Sequence, residues 1–149
     1  MALQIGDSAP AFNIKDQNGN PVQLADFKGK KLVIYFYPKD NTPGCTAQAC
    51  NLRDNYDLLL KQGYHVLGVS TDNEKSHQKF ITKFELPFPL LADVNQEMVN
   101  QFGVWVEKSM YGKTYMGIAR TTFVIDENGK IIDIIAKVDT KEHTSQILK

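Results

Sequence analysis

Runs of apolar residues along the chain predict its buried strands. The run at 32–37 is apolar on both faces and rich in β-branched and aromatic residues, which is typical of a central strand, and Pro38 ends it. The segment 64–71 repeats this pattern and predicts a second buried strand. Alternating runs flank turn residues at 17–21 and at 127–129, and both predict antiparallel hairpins.

A long amphipathic segment follows the first buried strand. Its apolar residues recur at helical spacing and predict one helix over 42–62, which Gly63 stops. A second helix is expected to begin at Asp72 or Asn73, either of which can cap it, and to end near Phe84. A short strand within 86–93, a short helix over 95–102 and a terminal helix from a Thr140 cap complete the order.

The order of these elements predicts the fold class. It is β-β, then β-α-β-α, then β-α-β-β-α. A parallel β-α-β unit early and an antiparallel hairpin late imply a mixed sheet with helices on both faces. We therefore expect one α/β domain over 1–149 on the thioredoxin-like plan, with an N-terminal β-hairpin and an inserted strand and helix.

Composition and charge narrow the function classes. The chain is 42% hydrophobic and 23% charged over 149 residues, which is ordinary for one globular domain. Seventeen basic residues balance seventeen acidic ones, so nothing favours nucleic acid as a partner. The N-terminal segment lacks the basic and apolar regions of a signal peptide, and the run 32–37 is too short to cross a bilayer. We expect a cytoplasmic protein without membrane contact.

Both cysteines lie in the segment TPGCTAQAC at 42–50. Cys45 falls in the first turn of the helix after a central strand, and ligands of open α/β sheets bind at such strand ends. Unpaired backbone N–H groups and the positive end of the helix dipole favour a thiolate there. Gly44 leaves the backbone open to a small molecule. The alternative, that Cys45 is only a small apolar residue, is less consistent with this position.

The spacing of the two cysteines bears on metal binding and on a disulfide. Residues at i and i+5 lie about 140° apart around a helix, and no histidine stands at zinc-finger spacing from them, so we expect no metal and no cofactor. On an ideal helix their Cα atoms are about 8.7 Å apart, which exceeds the roughly 6.8 Å that a disulfide tolerates. If the thiols pair, the first helical turns must unwind. The histidines are His65, His77 and His143.

The segment YPKDNTPGCTAQAC at 37–50 closely resembles the active-site segment of peroxiredoxins. The family pattern Pro-x-x-x-Thr-x-x-Cys is matched by Pro38, Thr42 and Cys45. A second cysteine five residues later resembles the Q-type branch, also called bacterioferritin comigratory protein. The similarity extends over nearly the whole chain, through GDSAPAF, GVSTD, FGVW, GKTYMGIAR and TTFVIDENGKI.

The resemblance implies a thiol-dependent peroxidase without a cofactor. Cys45 would attack hydrogen peroxide or an organic hydroperoxide and become a sulfenic acid. Cys50 would resolve it as an intrachain disulfide, and thioredoxin or a similar dithiol would reduce that disulfide. Because the resolving thiol would be in the same chain, we expect a monomer.

The resemblance also implies roles for the residues around the thiol. Thr42 would hold the thiolate and the peroxide, and Pro38 would shield the sulfur from water. The family's distant arginine falls on Arg120, which would favour the thiolate and bind the peroxide oxygens. The N–H groups of Gly44 and Cys45 would stabilise charge on the leaving oxygen.

Other interpretations of these residues remain. Gln48 and Trp105 could help to order the pocket, although packing is the simpler role for each. A general thiol–disulfide oxidoreductase on the same fold is one alternative function, which the absence of Cys-x-x-Cys disfavours. A non-enzymatic metal carrier that uses Cys45, Cys50 and a histidine is the other.

Overall fold

The strands and helices follow the expected order with one additional hairpin. The computed structural model describes residues 2–148. A 3-10 helix over Leu24–Phe27 follows the second strand. The strands are β1 (Asn13–Lys15), β2 (Pro21–Gln23), β3 (Lys31–Phe36), β4 (Tyr64–Ser70), β5 (Leu90–Ala92), β6 (Trp105–Met110), β7 (Lys113–Ile118), β8 (Thr121–Ile125) and β9 (Ile131–Ile135). The helices are α1 (Pro43–Asp54), α2 (Tyr56–Lys61), α3 (Glu74–Phe84), α4 (Glu97–Gln101) and α5 (His143–Ile147).

A mixed sheet of five strands, in the order β5-β4-β3-β8-β9, forms the centre of the molecule. Strands β3, β4 and β5 pair in parallel, whereas β8 runs antiparallel to both β3 and β9. The hairpin of β1 and β2 forms a separate antiparallel pair near the N-terminus. The expected thioredoxin-like α/β fold with an N-terminal hairpin is confirmed.

The central strand β3 separates two apolar clusters. Because successive side chains of a strand point to opposite faces, Leu32, Ile34 and Phe36 join one cluster and Val33 and Tyr35 join the other. All five are completely buried. The first cluster includes residues of α4, and the second includes residues of α1, α2 and α3, so helices cover both faces of the sheet.

The prediction of a single helix over 42–62 is wrong in one respect, because the helix is interrupted at Asn55. The backbone there leaves the helical region (φ −113°, ψ 11°), and the Asn55 amide donates to the carbonyl of Asn51 at 2.8 Å. Asparagine side chains compete in this way with the helical hydrogen-bond ladder. The terminal helix also begins later than expected, at His143 instead of next to Thr140.

The hairpin of β6 and β7 is absent from the elements that the sequence predicts. Its two strands pair from Trp105 with Ile118 to Met110 with Lys113, across a turn at Tyr111 and Gly112 that both have positive φ. Most of β7 is exposed on both faces, so it lacks the alternation of apolar and polar residues that marks a half-buried strand. Within residues 2–148 we find no helix with the length and apolar character needed to span a membrane.

Candidate active site

Cys45 lies in the first turn of α1, close to the carboxyl end of β3. Its side chain is 1% exposed and packs in the cluster beneath α1. Thr42 is the N-cap residue, and Pro43 occupies the first helical position, where its fixed φ suits a helix start. The early amides of α1 have no intrahelical acceptor, so the thiol sits at the positive end of the helix.

Arg120 contacts the thiol directly. Its Nη2 donates to Cys45 Sγ at 3.3 Å. Because β8 runs antiparallel to β3 with Thr121 opposite Phe36, the residue before β8 lies beside the segment that leads into α1. The sheet register therefore joins two residues that are 75 positions apart in the chain.

Gln48 fixes the other side of the same guanidinium. Its Oε1 accepts a hydrogen bond from Arg120 Nη1 at 2.7 Å, and the residue is completely buried. Arginine can only donate, so the amide oxygen must face Arg120. Among the described residues, Gln48 Nε2 then has no hydrogen-bond partner. The interpretation of Gln48 as simple packing is too limited, because it holds the arginine that contacts the thiol.

Gly44 allows the guanidinium to approach the start of the helix. A Cβ atom built on Gly44 would lie 3.3 Å from Arg120 Nη2, a tighter contact than side chains ordinarily make. Thr42 and Pro38 are half-buried on the segment before α1. The Thr42 hydroxyl donates to the carbonyl of Lys39 at 2.9 Å, so its proton is directed to the loop and not to the sulfur.

Cys50 lies on the same continuous helix as Cys45, and both thiols are free. Cys50 is half-buried, near the middle of α1. Beneath the helix, burial raises the pKa of Tyr35 well above its ordinary value, and the charges of Asp40, Cys45 and Cys50 raise it further. Within residues 2–148 the Tyr35 hydroxyl has no hydrogen-bond partner. A neutral phenol thus underlies both cysteines.

Residues 5–134 match the model of the AhpC/TSA family. The chain belongs to this family of peroxiredoxins. It is 49% identical over 146 residues to peroxiredoxin Bcp of Escherichia coli K12, covering 98% of this chain and 94% of that protein. It is 44% identical over 149 residues to peroxiredoxin Bcp of Bacillus subtilis, covering 100% of this chain and 95% of that protein.

Solved structures of related peroxiredoxins have the same fold. A cysteine-to-serine mutant of Xylella fastidiosa PrxQ superposes with a TM-score of 0.93 at 32% identity, over 99% of this chain and 94% of that chain. The Xanthomonas campestris bacterioferritin comigratory protein, described by its alkyl peroxide reduction activity, has a TM-score of 0.86 at 36% identity, over 92% of this chain and 87% of that chain. This peroxiredoxin is accordingly a thiol peroxidase, with a peroxide as substrate and a thiol as reductant.

Lys108 on β6 is a second cation near the peroxiredoxin site, and sequence reasoning misses it because it misses the hairpin. Burial lowers the pKa of Lys108, the charge of Arg120 lowers it further, and the charge of Cys45 opposes both. Its aliphatic stem lies against Gly117, where a Cβ atom would come within 3.3 Å of Lys108 Cδ. Lys108 therefore interacts electrostatically with both Arg120 and Cys45.

Two of the histidines bind partners away from the cysteines. His77 bonds to Asp40 and to the carbonyl of Leu91, whereas His143 bonds to Thr122 and Gln146. The third, His65, is half-buried on β4. In the described part of the chain, the carboxylate and histidine cluster with metal-like spacing comprises Asp40, Asp72 and His77, and neither cysteine belongs to it.

Proposed function

We propose that this peroxiredoxin reduces hydrogen peroxide and organic hydroperoxides with Cys45 as the attacking thiolate. The observation that carries the proposal is the 3.3 Å contact between Arg120 Nη2 and Cys45 Sγ at a buried helix start. A permanent cation and free helix amides both favour the ionised thiol, which is the nucleophile. The alkyl peroxide activity named for the Xanthomonas campestris relative supports organic hydroperoxides as substrates.

In the first step the Cys45 thiolate attacks the terminal oxygen of the peroxide. An S–O bond forms as the O–O bond breaks, and the leaving hydroxide or alkoxide takes up a proton. Arg120 and the N–H groups of Gly44 and Cys45 would stabilise the charge that develops on the leaving oxygen. The half-buried Thr42 hydroxyl oxygen would orient the peroxide.

Pro38 would limit the access of water to the Cys45 sulfur. It is half-buried, two residues beyond the end of β3 and on the segment that leads to the thiol. Excluding water strengthens the electrostatic interactions between Arg120 and the developing charge. Pro38 thus acts on the reaction through the environment of the sulfur.

Cys50 would resolve the sulfenic acid. Its thiolate attacks the Cys45 sulfur, an S–S bond forms as the S–O bond breaks, and the sulfenic oxygen takes up a proton and leaves as water. Since an ideal helix separates the two Cα atoms by about 8.7 Å, α1 must unwind locally before the bond can form. A dithiol such as thioredoxin then reduces the disulfide. Because the cycle needs one chain only, it is consistent with a monomer. A transient, catalytic disulfide is also what proteins of the reducing cytoplasm use.

The test is peroxide consumption by purified protein with thioredoxin, thioredoxin reductase and NADPH. We expect turnover by the wild type, none by Cys45→Ser, and one oxidation event without turnover by Cys50→Ser. Circular dichroism should show that both variants are folded. Sustained turnover by folded Cys45→Ser would contradict the proposal. Disulfide reduction in the absence of peroxide at a rate equal to that of peroxide consumption would instead support the general thiol–disulfide oxidoreductase.

A further inference from the structure

The loop between β3 and α1 is fastened to α3 through the side chain of Asp40, a buried residue. Its Oδ1 accepts a hydrogen bond from the Tyr37 hydroxyl at 2.5 Å, and its Oδ2 accepts one from Ser76 Oγ at 2.8 Å. Nδ1 of His77 lies 2.7 Å from the same Oδ2. The backbone N–H of Asp40 donates to Asp72 Oδ2 at 2.8 Å.

The contacts of His77 fix where its protons lie. Its Nε2 is 2.9 Å from the carbonyl oxygen of Leu91, which can only accept, so Nε2 carries a proton. Its Nδ1 faces Asp40 Oδ2 at 2.7 Å, a distance that two unprotonated acceptors would not tolerate. One proton must therefore lie between His77 and Asp40. Their side chains are 0% and 4% exposed, so water does not compete for it.

The geometry favours this hydrogen-bond network over a cation site. Ligand atoms of Asp40, Asp72 and His77 lie within 4.8 Å of one another, which is metal-like spacing. However, His77 Nδ1 and Asp40 Oδ2 face each other at hydrogen-bond distance, which leaves no room for an ion between them. Asp72 Oδ2 in turn accepts from Ser70 Oγ and from the backbone of Asp40.

The fastened loop leads directly to the reacting thiol. Asn41, next to Asp40, has φ +58°, a left-handed conformation that asparagine adopts more readily than most residues with a side chain. Thr42 follows, its hydroxyl tied back to Lys39, and Cys45 lies three residues further. A shift of Asp40 would release the turn at Asn41 and move both Thr42 and the first turn of α1.

We propose that Asp40 and His77 are positioning residues for the peroxide reaction, and that the hydrogen bond between them holds the loop so that Thr42 and Cys45 face the substrate correctly. This rests on the proposed function, because it concerns the rate at which Cys45 is oxidised. The two residues do not touch the sulfur. They act through the conformation of the segment between β3 and α1.

The experiment measures the second-order rate of Cys45 oxidation by hydrogen peroxide in a single turnover, followed by the fluorescence of Trp105. Small displacements of reacting groups are costly, so we expect oxidation to be about tenfold slower or more in Asp40→Ala and in His77→Ala. The double variant should slow oxidation by less than the product of the two single effects, because both changes remove the contact between Asp40 and His77.

Asp40→Asn tests whether the hydrogen-bond geometry at residue 40 or its negative charge determines the oxidation rate. The Asn oxygen can accept from Tyr37, and its NH₂ group can donate to His77 Nδ1 and to Ser76 Oγ, so every contact has a neutral equivalent. We expect its oxidation rate to stay within about threefold of the wild type, since the geometry is retained. His143→Gln is the matched control, because it removes a buried histidine from a different network and should leave the rate unchanged.

The outcomes distinguish this inference from the proposed function. Wild-type protein that fails to consume peroxide contradicts the proposed function, whereas the ratio of variant to wild-type rates tests the inference. Wild-type rates in folded Asp40→Ala and His77→Ala would overturn it, as would Asp40→Asn that is as slow as Asp40→Ala. Should the alanine variants not fold, proton NMR of the wild type decides. A far-downfield resonance that Asp40→Asn abolishes is expected, and its absence contradicts the shared proton.

Discussion

Gln48 accepts a hydrogen bond from Arg120 Nη1 at 2.7 Å, while Nη2 of the same guanidinium donates to Cys45 Sγ at 3.3 Å. Gln48 and Cys45 are three residues apart on α1, so they lie on one face of the helix and present two acceptors to one planar group. The guanidinium is therefore held at both ends. Its orientation depends on an intact helix, and unwinding α1 would release it from the sulfur.

Removing the amide of Gln48 should impair the peroxide step. In Gln48→Leu the side chain keeps its approximate volume, but Arg120 loses an acceptor and can rotate away from the thiol. We expect Cys45 oxidation to slow by about tenfold, in keeping with the loss of one charge-assisted hydrogen bond of roughly 1.5 kcal/mol. Stopped-flow oxidation by peroxide measures it. Gln48→Glu keeps the acceptor but places a negative charge near Cys45, which disfavours the thiolate, so it should be slow as well. A wild-type rate in folded Gln48→Leu would show that the acceptor is not what matters.

Removing Arg120 should affect both the thiolate and the transition state. In Arg120→Ala we expect a smaller thiolate fraction at neutral pH, because the cation beside Cys45 is lost. Oxidation should slow by about a hundredfold, the usual cost of losing one donor to developing charge. Thiolate absorbance and the rate of alkylation report the first effect. Arg120→Lys keeps the charge but not the paired geometry, so an unchanged thiolate fraction with slower oxidation is expected there.

Oxidation should unwind only part of α1. The side chain of Asn51 donates to the carbonyl of Lys141 and accepts from the backbone of Thr144, both at 2.8 Å. Arg53 Nη1 donates to the carbonyl of Phe84 at 2.8 Å. These contacts fasten the end of the helix. We therefore expect the amides at 46–50, the first that are bonded within the helix, to lose protection in the disulfide form and those at 51–54 to retain it.

Hydrogen exchange on the oxidised and reduced protein measures this difference. Cys50→Ser, which cannot form the disulfide, is the control and should keep its protection after one oxidation. Asn51→Ala should extend the loss of protection beyond residue 50. Equal protection of 46–50 in both redox states of the wild type would contradict local unwinding.

The fold should lose stability as the pH falls because of His143. Burial is the main effect and lowers the folded-state pKa of His143 below the ordinary 6.5, and the charge of Arg120 lowers it further. The bond to Gln146 and the charge of Asp139 oppose this shift only in part. In the unfolded chain His143 takes up a proton near pH 6.5, whereas the folded protein resists it. The contribution of neutral His143 to the free energy of unfolding is therefore complete above that pH. It is lost on acidification, by at most about 1.4 kcal/mol per pH unit for one proton.

Urea unfolding between about pH 8 and pH 5, the range in which histidine titrates, measures this contribution. His143→Gln removes the titrating group and can still bond to Thr122, so its stability should depend less on pH than that of the wild type. The pKa of His65 is lowered as well, chiefly by burial, and this effect is common to both proteins. Identical slopes for the two proteins would exclude His143 as a source of the pH dependence.

The sequence is most informative where local chemistry determines structure. Residues 32–37 are apolar on both faces, and Pro38 stops the strand, so the central strand and the helix start after it can be predicted. The break at Asn55 cannot, because it depends on whether a side chain bonds to its own backbone. Exposed strands such as β7 give no periodic signal.

Only part of the candidate site can be predicted from the sequence, for a related reason. Cys45 and Thr42 belong to one short segment, and the family pattern identifies them together. The contact of Gln48 with Arg120 spans 72 positions, and that of Asp40 with His77 spans 37, so each depends on the register of distant elements. The family pattern names Arg120, but nothing local indicates that Gln48 contacts Arg120 or that Asp40 contacts His77.

The burial of Cys45 has a consequence for the order of events in the proposed cycle. A side chain that is 1% exposed can be reached by a molecule of a few atoms but not by the active site of another protein. While α1 is intact, the sulfur is available to peroxide and closed to a protein reductant. If the helix opens to bond Cys45 to Cys50 as proposed, the sulfur would separate from Arg120 and the disulfide would become accessible. In the proposed cycle, the folding of a single helix would thereby separate the two reactants by size, so that oxidant and reductant would not compete for the same form of the enzyme.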